Sequence, residues 1–167
     1  MKALDNDRRL LIMMNGYYHA DRAAFFATLD RTVKLIIIVL SAHIAPKAQS
    51  LLRIDENVID LALLLIASIH LVADFGGRAK DDEYKRKQYF DLLREPDVNK
   101  VVETLVQLIS EEGPTMRAAL AIAYNRALDS SEVDEVASGA YRRRVTASQS
   151  AFRHIFPFNR AEFCLGT

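Results

Sequence analysis

The sequence predicts an all-α protein, a long antiparallel helical hairpin with a possible transmembrane role followed by a C-terminal helical bundle. Three observations predict it. The 167 residues contain only 6 Gly and 4 Pro, placed between periodic segments, which is how a helical chain is punctuated. No long window alternates β-branched with polar residues, so strands are not expected. The apolar runs LIIIVL (35–40) and LALLLIA (61–67) continue on their flanks in helix formers with no turn signal between.

The elements follow in order from this punctuation. A short helix is expected near 4–14, ended by Gly16, then a long helix near 20–45. Pro46 opens a turn over 46–53, and a second long helix is expected near 55–75, ended by Gly76 and Gly77. A charged helix near 79–95 follows. Asp97 is a natural N-cap for a helix near 97–111, because Val98, Val101, Val102, Leu105, Leu108 and Ile109 behind it form an apolar stripe at helical spacing. After Gly113 and Pro114, Met116, Ala119, Leu120, Ile122, Ala123 and Ala127 mark a softer stripe for a helix near 114–128. Weaker helices are expected near 131–140 and 143–155, then a tail with aromatics but no period. The chain divides into 1–78, the N-terminal helix with the apolar hairpin, and 79–167, a helical region expected in the cytoplasm with a basic tail.

Composition excludes several functions. Basic and acidic residues both number 22 and half the chain is apolar, which excludes a disordered chain and a generally basic nucleic-acid binder. Cys164 is the single cysteine, so neither a disulfide framework nor a Cys-rich zinc site is expected. His19, His43, His70 and His154 never pair at i and i+4 around an acid, and no Glu-x-x-His occurs, so no metal is expected. The acidic clusters Asp81-Asp82-Glu83 and Glu111-Glu112 read as solvated faces and helix-dipole partners. No catalytic residue, no cofactor and no enzymatic activity are expected. The N-terminus carries a four-residue apolar stretch, Leu10 to Met13, shorter than a secretory signal requires.

The two apolar segments pose the main question. A span needs about 20 predominantly apolar residues. The first segment has eleven residues free of Lys, Arg, Asp and Glu, Leu35 to Ala45, with His43 inside; the second has thirteen, Leu61 to Ala73, with His70 inside and Asp60 and Asp74 at its ends. The full helices are long enough to cross if polar groups face protein or reach the interface. Six basic residues precede position 35 and six lie in 76–95, while the connecting turn holds only Lys47 and Arg53. The positive-inside rule then places both ends in the cytoplasm. An antiparallel hairpin centred near residue 50 sets position 43 opposite 57 and 30 opposite 70. His43 is thereby within reach of Asp60, and Asp30 or Arg31 within reach of His70 or Asp74. These two polar layers fit a pore lining or an interhelical pair; inside a soluble bundle they satisfy buried polar groups.

Residues 15–42, NGYYHADRAAFFATLDRTVKLIIIVLSA, resemble the opening of the SLATT superfamily, two-transmembrane domains associated with bacterial nucleotide-signalling conflict systems. The resemblance is carried by Tyr17-Tyr18-His19, Arg22, Phe25-Phe26 and Ser41-Ala42. YKRKQYFDLLREP (84–96) is similar to the family's juxtamembrane helix, and ISEEGPTMRAALAIAYNRAL (109–128) to its acidic-Pro-to-Ala-Tyr-Asn element. The apolar segments are shorter than the family's, and 129–167 has no counterpart. The resemblance implies an effector of the inner membrane that oligomerises with itself, contacts the lipid bilayer and permeabilises it when a separate sensor protein responds to infection. By residue type alone, Tyr17, Tyr18, Phe25 and Phe26 form an aromatic stripe for helix packing or an interfacial belt.

One charge feature is left over. Arg142, Arg143 and Arg144 open a region, 141–167, with five Arg against one Glu, after a region, 96–140, with three basic and eight acidic residues. The basic tail can dock on the acidic helices, on a neighbouring subunit or on anionic lipid; nucleic acid is not an expected partner. Two functions therefore stand: a membrane effector of bacterial defence, and a soluble helical-bundle structural or assembly protein, of viral or other origin, whose hairpin is buried in a cytoplasmic oligomer.

Overall fold

The computed structural model describes residues 5–41, 56–113, 115–131 and 142–155. Among them the architecture is all-α: α1 (Asn6–Ser41), α2 (Glu56–Ala73), α3 (Phe75–Leu92), α4 (Val98–Ser110), α5 (Arg117–Ser130) and α6 (Ala147–Ala151), with no strand. His43, residues 132–140 of the helix expected over 131–140, and Cys164 lie outside the described residues.

Several boundaries differ from expectation, each for a local reason. The two helices expected over 4–45 are one, because Gly16 is a packing position and not a stop. A Cβ on Gly16 would stand 3.0–3.3 Å from the Phe90 ring, so the missing side chain is what admits the ring. Likewise Gly76 and Gly77 lie in the first turn of α3, and the only residue between α2 and α3 is Asp74, at φ +42°. Aspartate tolerates this left-handed conformation better than most residues. Its Oδ1 accepts a 3.1 Å hydrogen bond from the Gly77 N–H, capping α3, and any Cβ at position 77 would collide with that carboxylate.

Downstream, Asp97 caps α4 by accepting from the Asn99 N–H at 3.0 Å, as its position before an apolar stripe requires. α5 begins only at Arg117, since Met116 is extended and donates its N–H to the Tyr18 hydroxyl at 3.0 Å. The helix expected over 143–155 contracts to the single turn of α6, started by a Thr146–Gln149 capping box. Residues before it are held non-helical because the Asn125 side chain grips the Arg143 backbone, donating to its carbonyl and accepting from its N–H, both at 2.7 Å.

The chain forms two compact units, Met1–Arg22 with Asp81–Thr167, and Ala23–Lys80. The first is held by apolar burial. Ile12, Tyr89, Leu92, Val101, Leu105 and Leu108 make one cluster, and Tyr18, Ala119 and Ala123 a second. Val101, Leu105 and Leu108 are the buried stripe of α4, while the alanines of α5, Ala118, Ala119, Ala121, Ala123 and Ala127, let that helix approach closely.

The second unit contains the antiparallel hairpin. His70 of α2 meets Asp30 of α1, Nε2 to Oδ1, at 3.0 Å. Half-buried Ile59, Leu63, Ile66 and His70 recur every three or four residues along α2, as do Asp30, Val33, Ile37 and Leu40 along α1, the period of one helix face. The other face is apolar too. Val58, Leu61, Leu64, Leu65, Ile69, Leu71 and Val72 of α2 are 54–84% exposed, and Leu35, Ile36, Ile38 and Val39 of α1 are 41–62% exposed. By length and composition one helical stretch of the described residues, Asn57–Leu92, is long and apolar enough to cross a membrane, and none of its most apolar window is buried.

Candidate functional site

Unit 1 encloses a network of charged side chains. Buried Ile12, Asn15, Gly16 and His19 recur along α1 at helical spacing, which places Tyr18, His19 and Arg22 on the side that faces protein. α3 supplies Asp82 and, two turns on, Tyr89; the turn after α4 supplies Glu112. His19 sits between the two carboxylates. Its Nδ1 lies 2.7 Å from Asp82 Oδ1 and its Nε2 3.0 Å from Glu112 Oε1. The imidazole stacks on the Tyr89 ring at 5.7 Å and 13°, and the Tyr89 hydroxyl donates to Glu112 Oε1. Arg22 completes the set, donating from Nε to Asp82 Oδ2 at 3.2 Å and from Nη1 to the Tyr18 hydroxyl at 3.0 Å. His19 is 3% exposed, Asp82 6% and Tyr89 fully buried.

The charges decide the protonation state. A ring nitrogen facing a carboxylate must carry a proton to make a hydrogen bond, and His19 faces one on each side, so it is an imidazolium. Burial opposes that charge, but the hydrogen bonds to Asp82 and Glu112 outweigh it and raise the His19 pKa above 6.5. Burial likewise favours neutral Glu112, and hydrogen bonds from His19 and Tyr89 outweigh it to lower the Glu112 pKa. The Tyr89 hydroxyl is driven up by burial and by donation to Glu112. Two cations thus face two anions, the condition under which buried charge is tolerable. Nearby His154 is also buried; desolvation, then the charges of Arg153 and Arg22, push it down to about 4.

Chemically the arrangement is a clamp. With both His19 nitrogens donating, no imidazole lone pair is left to take a proton, attack a substrate or bind a metal. Among the described residues no group of three or more His, Cys, Asp or Glu is placed to hold a metal ion. The clamp makes unit 1 sensitive to pH at both ends. His19, raised in the fold, stabilises fully below 6.5 and loses its contribution as pH climbs through its folded value. Glu112, lowered, loses its contribution as pH falls through its folded value, and His154 loses its own between 6.5 and about 4. Thermal unfolding of the full chain, followed by helical circular dichroism, is therefore expected to give a stability maximum near neutral pH. Replacing His154 by Phe flattens the acid limb selectively.

The remaining sequence-derived residues are placed as follows. Tyr17 bonds to Ser130 Oγ at 2.9 Å, meets Phe90 edge-on at 5.6 Å, and carries the Arg126 guanidinium 4.4 Å above its ring. Phe25 and Phe26 lie 5.4 Å apart, and Phe26 stacks on Phe75 at 6.3 Å. Of the lower polar layer, Asp30 and His70 meet, and Lys34 joins Asp30 at 2.8 Å. Arg31 is exposed, and Asp74 turns to cap α3. Of the upper layer only Asp60 is described, and it is exposed. Arg142 pairs with Asp129, and the Arg143 guanidinium lies 5.5 Å from the Tyr124 ring centroid; these two residues of the basic run dock on α5, and Arg144 is exposed.

Asp82 and Glu112 overturn the expectation that both acidic clusters are solvated. Each has neighbouring acids of its own, and sequence alone does not separate the buried member from Asp81, Glu83 or Glu111. Tyr89 gave the one available signal, since Asp82, Tyr89 and Leu92 share a helical face. No protein-family model, curated protein or solved structure matches the chain.

Proposed function

We propose that the protein is a membrane-embedded oligomeric effector. The hairpin of unit 2 enters the inner membrane with both termini cytoplasmic, the helices of unit 1 stay in water, and the assembly permeabilises the bilayer in bacterial defence under the control of a sensor protein. One observation carries this reading: from Leu61 to Val72 the outer face of α2 is exposed and, apart from Ser68, aliphatic. Eleven large aliphatic side chains of the hairpin, each 41–84% exposed, leave roughly 10–20 kcal/mol of transfer free energy unrealised in water. A bilayer or a protein partner has to recover it. Polar His70 and Asp30 turn to each other, as intramembrane ionisable groups do. The SLATT resemblance supplies the defence and sensor components.

A second reading rests on length. The charge-free stretch of α2, Leu61 to Ala73, holds thirteen residues and covers about 20 Å, against about 30 Å of hydrocarbon. It makes the hairpin the buried core of a soluble oligomer, as in a structural or assembly protein. Expression in bacteria followed by fractionation separates the two. The full chain is expected in the membrane pellet after an alkaline carbonate wash, with dye leakage from vesicles on reconstitution. A discrete oligomer recovered without detergent overturns the membrane reading.

A further inference from the structure

A second feature of unit 1 is unused by this reading. Beside the start of α5 lies an open groove of about 350 Å³, the lower end of the size range of small-molecule sites. Arg117, Arg143, Thr115 and Tyr124 supply its polar walls, and Met14 and Leu120 its apolar floor. None of the described lining residues is acidic. The Asn125 side chain holds the Arg143 backbone at the groove, and the Arg143 guanidinium lies 5.5 Å from the Tyr124 ring centroid. A planar guanidinium pairs two oxygens of a phosphate in one plane, and the Thr115 hydroxyl adds a further donor.

We propose that this groove binds a phosphate ester, the phosphate between Arg117 and Arg143 and the organic part over Met14 and Leu120. Guanidinium donors on two walls of the groove bracket the oxygens of a phosphate, and the apolar floor distinguishes an ester from inorganic phosphate. The inference does not depend on whether unit 2 enters a membrane. A soluble phosphomonoester and the headgroup of an anionic lipid share this chemistry.

The test titrates the purified full-length protein, in one detergent throughout, by calorimetry. Phenyl phosphate and dihexanoyl phosphatidylglycerol are the probes; phenol and dihexanoylglycerol are their phosphate-free counterparts. Saturable binding of at least one phosphate probe, and of neither counterpart, is expected, and the tighter probe identifies the source. Arg117→Gln and Arg143→Gln are each expected to weaken it about tenfold or more, as loss of a charge-assisted bond does. Arg143→Lys falls between, and Arg94→Gln, on an exposed residue of another segment, has no effect. Arg117 is exposed, so Arg117→Gln decides the matter if Arg143→Gln fails to fold. Failure of both phosphate probes to bind overturns the proposal. So does unchanged affinity in Arg117→Gln, or equal binding of a phosphate-free counterpart.

Discussion

Leu64→Asp is expected to move the protein from the membrane pellet to the soluble or aggregated fraction and to abolish vesicle leakage, while the helices of unit 1 still fold. Leu64 is 63% exposed on the outer face of α2. In water such a site tolerates a polar residue within about 0.5 kcal/mol. Facing lipid near the middle of a span, aspartate costs about 2.5–3.5 kcal/mol and the lost leucine adds about 0.5. The shift in partitioning is then on the order of a hundredfold or more. The same substitution in a soluble monomer is nearly silent, and in a soluble oligomer it dissociates subunits without any detergent. Ile37→Asp is the wrong probe, since Ile37 is half-buried and its loss is damaging in any surroundings. Wild-type fractionation and leakage by Leu64→Asp refute the membrane assignment.

His19→Ala is expected to cost unit 1 about 3–5 kcal/mol, the usual penalty for removing one partner of a buried charge pair. The loss is large because two buried carboxylates share that histidine. Asp82 retains Arg22, whereas Glu112 retains only the Tyr89 hydroxyl among the contacts described above. Pairing His19→Ala with Glu112→Gln should therefore restore a substantial part of the stability, and the double-mutant cycle gives the coupling directly. By contrast, Arg94→Ala is expected to shift stability by less than about 0.5 kcal/mol, because its partner Asp91 stands 3.9 Å away and both side chains are largely exposed. Chemical denaturation of the full chain checks all four variants. A loss below about 1 kcal/mol in His19→Ala would refute the clamp.

The two outcomes rest on different kinds of information. Scarce Gly and Pro, the apolar stripe behind Asp97 and the uninterrupted runs at 35–40 and 61–67 were enough to read an all-α chain with a hairpin. Helix periodicity and capping are local properties, carried by neighbours within four residues. The register of 30 opposite 70 was legible as well, because an antiparallel hairpin fixes it from the turn alone. Helix ends were less legible. Gly16 looks like a stop in one dimension and is a contact for Phe90 in three; residues 143–146 look helical until Asn125, 18 residues away, takes the Arg143 backbone.

What the sequence by itself determined is therefore the helical class, the hairpin and its apolar character. Only the tertiary structure decided where charge is buried. Burial of Asp82 and Glu112 depends on segments 63 and 93 residues from His19 converging on it, and nothing in the Asp81-Asp82-Glu83 or Glu111-Glu112 strings marks which carboxylate will lose its water. It also decided that the aliphatic face of α2 points away from the rest of the hairpin. Hydropathy counts apolar residues, but only packing shows which of them remain without a protein neighbour.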